Sequence, residues 1–445
     1  MDRGYRRGSE LTTERLFLDL APALSIEGVT DSPGFFRGFA TRPLVLTRGL
    51  LALAEITRTR YFRPEPQDYR DPVLTASGDR LRAECFSACN GVYARLDLSG
   101  DSFDGGAIGY GTTNVDLGPS TVSMLSAVPR TELLHVDVSA RSLTVSTPDR
   151  TENERKVSMP ERWVQALGNA ASLMQQADHR FTVGAVAARK ALAGVPTSTG
   201  GREKRVWWKP VRGAVESATH SSAGAVPMRG IHRLSAVKKL ALHLESMSVY
   251  EGPAVIVVEF GLPAATFTLA LTKESHRGFS GEGSLLQDLV SPLVEEDADR
   301  VAARLAFQSV IRLSQIEEST GLDSPRVTGA LAYLAAAGRV GWDNLEHNRC
   351  GAFFHRELPL EVDRVDRANP RLIAARRLVE NGQIEQAREF TDTYMVPATG
   401  NGHYLVTPER CSCQWYIRHE GLRGPCKHML AVEITLNSRK EDSRG

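Results

Sequence analysis

Cys411-Ser412-Cys413-Gln414-Trp415-Tyr416-Ile417-Arg418-His419-Glu420-Gly421-Leu422-Arg423-Gly424-Pro425-Cys426-Lys427-His428 decides how the C-terminal part of this chain folds. Two cysteines one residue apart are followed, after twelve residues, by a cysteine and a histidine one residue apart. Residues i and i+2 project to the same side of an extended strand, so Cys411 and Cys413 can grip one ion together. Gly424-Pro425 turns the chain and suits the start of a helix, with Cys426 and His428 in its first turn, where the helix dipole favours a thiolate. Three thiolates and one imidazole complete a tetrahedral structural Zn2+ site that is closed to substrate. His419 lies between the doublets and offers an alternative to His428, but His428 belongs to the better-formed doublet. A Cys411–Cys413 disulfide would close a badly strained ring, which also favours metal.

The same residues resemble the SWIM zinc finger, whose pattern is Cys-x-Cys, a variable loop and Cys-x-His. Tyr404-Leu405-Val406 leads in as a strand, and Met429 to Leu436 continues as the last helix. A weaker similarity to bacterial SWIM zinc finger proteins runs through Arg58-Thr59-Arg60-Tyr61, Asn90-Gly91-Val92-Tyr93-Ala94-Arg95-Leu96-Asp97, Gly111-Thr112-Thr113-Asn114-Val115-Asp116 and Met159-Pro160-Glu161-Arg162-Trp163. Members of that group tend to accompany MoxR-type AAA+ ATPases and von Willebrand factor A proteins. The resemblance therefore implies a zinc-binding adaptor with such a protein partner and no particular reaction.

A chain of 445 residues is long enough for two to four domains with real cores. Its 42% hydrophobic and 24% charged content is ordinary for a globular protein. A pI near 7.7 argues against a surface built throughout for nucleic acid, for which a domain value above about 9 is expected. The apolar stretch Leu16 to Leu24 is interrupted by Asp19 and has no convincing cleavage site after it, and no run reaches the roughly 18 apolar residues of a membrane span. Six cysteines, three of them in the zinc pattern, fit a reducing, cytoplasmic compartment.

Along the chain, Pro43 to Arg60 has helical periodicity. Short alternating segments (80–86, 91–98, 133–138 and 142–146) predict strands separated by Gly, Asp and Ser turns. Asp71 to Asp79 reads as a loop, Trp163 to Gln176 as a helix, and no internal repeat is legible. Residues 186–240 hold 11 Lys or Arg against 2 Glu, an excess of 11 − 2 = +9, and Pro196 to Pro227 within them reads as a mobile Gly/Ser/Thr/Pro-rich segment. Leu234 to Ser246 then predicts a helix, and 254–260 and 266–272 predict strands. Val301 to Phe307, Ser314 to Thr320 and Ser324 to Ala337 predict helices, and 339–343 and 351–358 predict a two-stranded wing. That order is similar to a winged helix.

Nucleic-acid chemistry is thin in that unit. Its longer helix offers one cation, Arg326, and residues 300–358 carry 7 Arg against 6 acids. Gly201-Arg202-Glu203-Lys204-Arg205-Val206-Trp207-Trp208-Lys209-Pro210-Val211-Arg212 fits a polyanion better, the tryptophans stacking on bases. It fits equally a strand with one tryptophan in the core. Residues 371–445 carry 11 cations and 9 anions, with Arg418, Arg423 and Lys427 near the ligands. Cys350 with His347 and His355 lacks a fourth ligand, and the Cys85-x3-Cys89 pair reads as small core residues. Gly106-Ala107-Ile108-Gly109-Tyr110-Gly111 lacks the strand-to-helix context of a nucleotide loop, and neither a Walker lysine nor a nucleophile elbow occurs.

The expectation is thus an α+β multidomain chain. It comprises a mixed N-terminal domain (1–185), a basic flexible segment (186–230), an α+β segment (231–297), a winged-helix-like unit (298–360) and a C-terminal ββα SWIM zinc finger (371–437). Cys411, Cys413, Cys426 and His428 are the metal ligands. The protein is read as a non-catalytic, cytoplasmic adaptor for a protein partner. DNA or RNA binding through the finger, the winged-helix-like unit and the basic segment is the alternative.

Overall fold

The computed structural model describes residues 10–442, apart from 12–15, 18–22, 26–27, 31–33, 62–71, 106, 158–160, 198–205, 282, 345–350, 359–368, 383, 389, 391, 399, 401 and 422. Its largest element is an eight-stranded antiparallel sheet, and a strand, a helix and three strands follow one another three times along the chain to supply this sheet and a separate five-stranded one. The first unit is β1 (Gly34–Ala40), α1 (Pro43–Arg58), β2 (Val73–Ser77), β3 (Arg80–Phe86) and β4 (Val92–Ser99). The second is β5 (Tyr110–Asn114), α2 (Pro119–Ala127), β6 (His135–Ser139), β7 (Ser142–Ser146) and β8 (Thr151–Arg155). After α3 (Glu161–Gln175) comes the third: β9 (Asp178–Gly184), α4 (Ala185–Ala193), an insertion, a 3-10 run (Ile231–His243), β12 (Ser246–Glu251), β13 (Val255–Leu262) and β14 (Ala265–Thr272). The insertion carries the hairpin β10 (Trp207–Val211) and β11 (Ala214–Ala218).

The first two units exchange their leading strands. β1 pairs with β6, and β5 pairs with β2. The third unit keeps its own, β9 on β12, and joins the first along β4 and β14, from Leu98↔Ala265 to Val92↔Leu271. The sheet order is therefore β5-β2-β3-β4-β14-β13-β12-β9, so strands from 1–185 and from 231–297 share one sheet and one hydrophobic core. The repeat is topological, which is why no sequence period announces it.

Alternation along the central strands divides the sheet's faces. Leu81, Ala83 and Cys85 with Ala94, Leu96 and Leu98 are core residues. Gly49 lets α1 come close on this side, since a Cβ there would lie 2.6 Å from Leu96 Cδ2. The alternate residues Arg82, Glu84, Arg95 and Asp97 would ordinarily face water, yet all four are buried. Their cover is a hairpin, β15 (Val340–Asp343) and β16 (Ala352–His355). Arg82 donates to Asp97 Oδ1 at 2.6 Å and to Asp343 Oδ2 at 2.8 Å, and Arg95 pairs with Asp97 Oδ2 at 2.5 Å and Asp343 Oδ1 at 2.9 Å. Arg356 pairs with Glu84, which also accepts from the Tyr93 hydroxyl at 2.5 Å. The Arg82 guanidinium lies over the Phe354 ring, 3.7 Å from its centroid. Burial opposes the Glu84 charge, but Arg356 outweighs it and holds the carboxyl below its usual range.

A second core gathers α5 (Val294–Ala302), α6 (Leu313–Thr320), α7 (Ser324–Ala336), α8 (Pro370–Glu380) and part of α10 (Lys427–Asp442). Asp323 caps α7 by accepting from Arg326 N, Pro325 fits its first turn, and Gly338 at φ +72° follows the helix. Helix, helix and two-stranded hairpin thus occur in the expected order.

Several expectations are corrected. Residues 73–77, read as a loop, form a buried inner strand of the sheet; Asp71, Pro72, Gly78 and Asp79 flank it with turn chemistry that masks its Val-Leu-Thr core. Ser246, read as the end of a helix, begins β12, and the preceding helix is a 3-10 run. The helix placed at 301–307 instead spans Val294–Ala302, with an acidic first turn. Inside the segment read as mobile, β10 and β11 pair and Trp208 is fully buried.

Candidate metal centre

β17 (Tyr394–Pro397) and β18 (His403–Val406) form a hairpin whose last residue bridges to Cys411. Ser412 N donates to Leu405 O and Leu405 N to Ser412 Oγ, both at 3.0 Å, which fixes the first doublet against the strand. Cys413 then caps a short helix, α9 (Gln414–His419), its sulfur accepting from Tyr416 N at 3.4 Å. The variable loop between the doublets therefore holds a helical turn. Gly424, at φ +74°, turns the chain through a left-handed conformation, and Pro425-Cys426 leads into α10.

The ligand atoms of Cys411, Cys413, Cys426 and His428 lie within 4.8 Å of one another, and all four residues are buried. His428 Nδ1 is 3.8 Å from Cys411 Sγ and 3.9 Å from Cys426 Sγ. A zinc tetrahedron, with bonds of about 2.3 Å to sulfur and about 2.0 Å to nitrogen, has edges of about 3.5 to 3.8 Å. The two edges at His428 are close to that size. The cluster's proton chemistry fits a cation as well. A hydrogen bond with Cys426 pushes the Cys411 thiol up, burial pushes Cys413 up, and the hydrogen bond from Cys411 draws Cys426 down to about 4. Three crowded thiols can share one negative charge by themselves; a divalent ion lets all three ionise. The group that fits is Zn2+, held by these four side chains with no position left open.

The surroundings fix the ligands. Cys413 N donates to Cys411 Sγ at 3.4 Å, and the Tyr404 ring packs on the His428 imidazole with centroids 4.7 Å apart. Tyr394, Val396, Val406 and Val432 complete a small core around the cysteines. Arg371 of α8 donates to Arg423 O at 2.8 Å and Pro425 O at 3.1 Å, and its guanidinium lies 4.8 Å from the Trp415 ring centroid. Arg423 in turn donates through Nε to Gly281 O at 3.0 Å, which fastens the ligand loop to the sheet-bearing part of the chain. Neither arginine carries a sequence signal for this role. His419 packs against Trp415 with the rings tilted by 60° and 4.8 Å between centroids, and stands outside the cluster.

The other sequence candidates fare differently. His355 accepts from Phe307 N at 2.6 Å and meets Glu357 at 2.8 Å, while His347 and Cys350 lie outside the described residues. Cys85 is buried in the main core, and Cys89 Sγ accepts from Tyr61 N. Lys204 and Arg205 of the basic segment also lie outside the described residues. Among the described residues, no helix is long and apolar enough to cross a membrane.

Comparison with solved structures finds distant likenesses. Proliferating cellular nuclear antigen from Entamoeba histolytica is similar at 14% identity and a TM-score of 0.36, over 54% of this chain and 99% of that one. The PCNA2–PCNA3 complex from Sulfolobus tokodaii is similar at 10% identity and 0.40, over 54% and 100%. A. fulgidus PCNA with the C-terminal region of FEN-1 is similar at 12% identity and 0.37, over 53% and 97%. No curated protein matches the chain. The family model for the SWIM zinc finger matches residues 400–437, the stretch that contains the hairpin strand β18, both ligand doublets and most of α10. Over those residues the chain is similar to the SWIM zinc finger.

Proposed function

We propose that this protein is a non-catalytic, cytoplasmic zinc-binding adaptor that engages a protein partner through its SWIM finger. The observation that carries this reading is the finger's surface. Leu405 and Ile417, on the elements that carry the first ligand doublet, are 55% and 65% exposed, and Phe390, ahead of the finger's hairpin, is 63% exposed, three of the eight large exposed hydrophobics among the described residues, while the metal cluster itself is buried. Apolar side chains held in water by a rigid scaffold favour contact with another protein. A closed Cys3His set leaves no ligand position for water, which supports a structural and not a catalytic metal. The similarity to bacterial SWIM finger proteins supplies the candidate partners, a MoxR-type AAA+ ATPase or a von Willebrand factor A protein.

The unit 298–360 is read here as a winged-helix-like packing module. Its longer helix α7 is buried through Val327 and from Gly329 to Ala336, and its one cation, Arg326, is held in two hydrogen bonds by Asp297. Neither feature leaves that helix free to read a base edge.

One observation favours nucleic acid instead. Arg423, Arg277, Arg418 and Arg371 all act electrostatically on His419, beside Trp415. The deciding experiment titrates zinc-loaded protein, wild type and a Phe390→Ser/Leu405→Ser/Ile417→Ser variant, against the purified ATPase, the von Willebrand factor A protein, and single-stranded and duplex DNA and RNA at low and moderate salt. Saturable binding of either protein at moderate salt, lost in the triple variant, supports the adaptor. Nucleic-acid binding with a steep salt slope, abolished on zinc removal and without protein binding, refutes it.

A further inference from the structure

A cleft of about 640 Å³ opens where the finger meets the sheet-bearing part of the chain. One wall is Leu173, Pro227 and Pro253; the other is the finger's ligand loop at Gly421, Gly424 and Pro425. That loop is held in place twice, by Arg371 on its carbonyls and by Arg423 on Gly281 O. The volume is that of a small-molecule site, with apolar and polar lining mixed.

Five charged side chains line this cleft, and three of them are committed. Arg229 pairs with Glu274 at 2.5 Å, and Lys273 pairs with Glu251 at 2.7 Å. Arg277 and Asp288 remain. Among the described residues no carboxylate pairs with Arg277 and no cation pairs with Asp288. Burial alone pushes the Asp288 carboxyl up to about 6, with no neighbouring charge contributing. A half-buried carboxyl without a cation is costly to the empty protein, and a guanidinium without an anion lines the same cavity. A ligand carrying the complementary pair of charges relieves both at once.

We propose that this cleft binds a small zwitterion, an apolar amino acid or a short peptide of such residues. Its acidic group lies on Arg277, its ammonium on Asp288, and its apolar body lies against the proline-rich walls. Paired Arg229, Glu274 and Lys273 rim the site and leave its net demand at one positive and one negative charge. This site is independent of which protein partner the finger's outer surface engages.

The test uses full-length protein with its zinc content measured in every sample, so that an unloaded finger is told apart from a failed site. Leucine, proline, phenylalanine and dileucine are titrated calorimetrically at pH 7.5, with phosphate as an acid lacking an amine and putrescine as an amine lacking an acid. At least one of the four zwitterions binds saturably, its affinity falling tenfold or more in both Arg277→Gln and Asp288→Asn while Lys190→Gln on α4 leaves it unchanged. Circular dichroism and zinc content of the variants match wild type. No saturable binding by zinc-loaded protein overturns the proposal. So does phosphate or putrescine binding as tightly as the zwitterion, or full affinity retained in either variant.

Discussion

Replacing Asp343 with asparagine keeps the shape of the side chain and removes one charge from the network that joins the β15–β16 hairpin to the sheet. Three buried guanidiniums (Arg82, Arg95, Arg356) face three carboxylates there (Glu84, Asp97, Asp343), and Arg80, itself paired with Asp79, reaches Asp343 from the margin at 4.0 Å. The side chains of Arg82, Arg95 and Asp343 are 0%, 1% and 5% exposed, so water cannot take the place of the lost carboxylate. Breaking a buried pair from one side costs about 3 to 5 kcal/mol. A fourth carboxyl, Glu259, lies nearby. Burial first, and the Asp343 charge second, push it up to about 8, while the Arg95 charge pulls the other way. In Asp343→Asn that repulsion is gone, and Glu259 can ionise against the surplus cation. The penalty should therefore be about 3 kcal/mol at pH 5.5, where Glu259 keeps its proton in both proteins. At pH 8.5 it should be smaller by at least about 1 kcal/mol, the worth of roughly one pKa unit. Hydrogen exchange at the amides of 340–343 reads the opening free energy of the hairpin directly. A loss below about 1 kcal/mol at pH 5.5, or an equal loss at both pH values, would refute the reasoning.

Glu259→Gln should flatten the pH dependence: the wild-type carboxyl is raised in the folded chain from 4.5 to about 8, so the native state loses stability as pH rises across that interval, and thermal melts at pH 5 and 8.5 should differ less in the variant. Cys426→Ser should abolish stoichiometric zinc and deprotect residues from about 400 onward, with full zinc occupancy and unchanged thermal unfolding as the contrary result. Arg326→Ala leaves Asp297, 2% exposed, without its two hydrogen bonds and should cost about 2 kcal/mol in urea unfolding, an unchanged midpoint being the contrary result.

The finger was legible because its evidence is local and chemical: four ligands within eighteen positions, each of a type that zinc selects. The capped helix α7 and the following hairpin were legible for a similar reason, since Asp323, Pro325 and Gly338 mark their limits within the segment itself. The large sheet was not. Phe39 finds its partner His135 across 135 − 39 = 96 positions, and Leu98 finds Ala265 across 265 − 98 = 167. Nothing in a local period encodes such pairings. Arg82, Glu84, Arg95 and Asp97 mislead in another way. Their alternation with apolar residues reads as one wet face, and only the arrival of Asp343 and Arg356 from far along the chain turns that face into a buried one.

The exchange of leading strands between the first two units bears on how the chain is made. Neither unit can complete its sheet before residue 139 has been synthesised, and the long sheet waits for residue 272. Until then the apolar strands 73–77 and 80–86 have open edges beside unfinished partners, the situation in which nascent chains associate wrongly. The finger reverses the pattern. Its hairpin, its doublets and the first turns of α10 lie within 394–432, so ion capture there is a late and rapid event that follows the slow, distant pairings. Maturation of the protein thus has two clocks, one set by chain topology and the other by the supply of zinc.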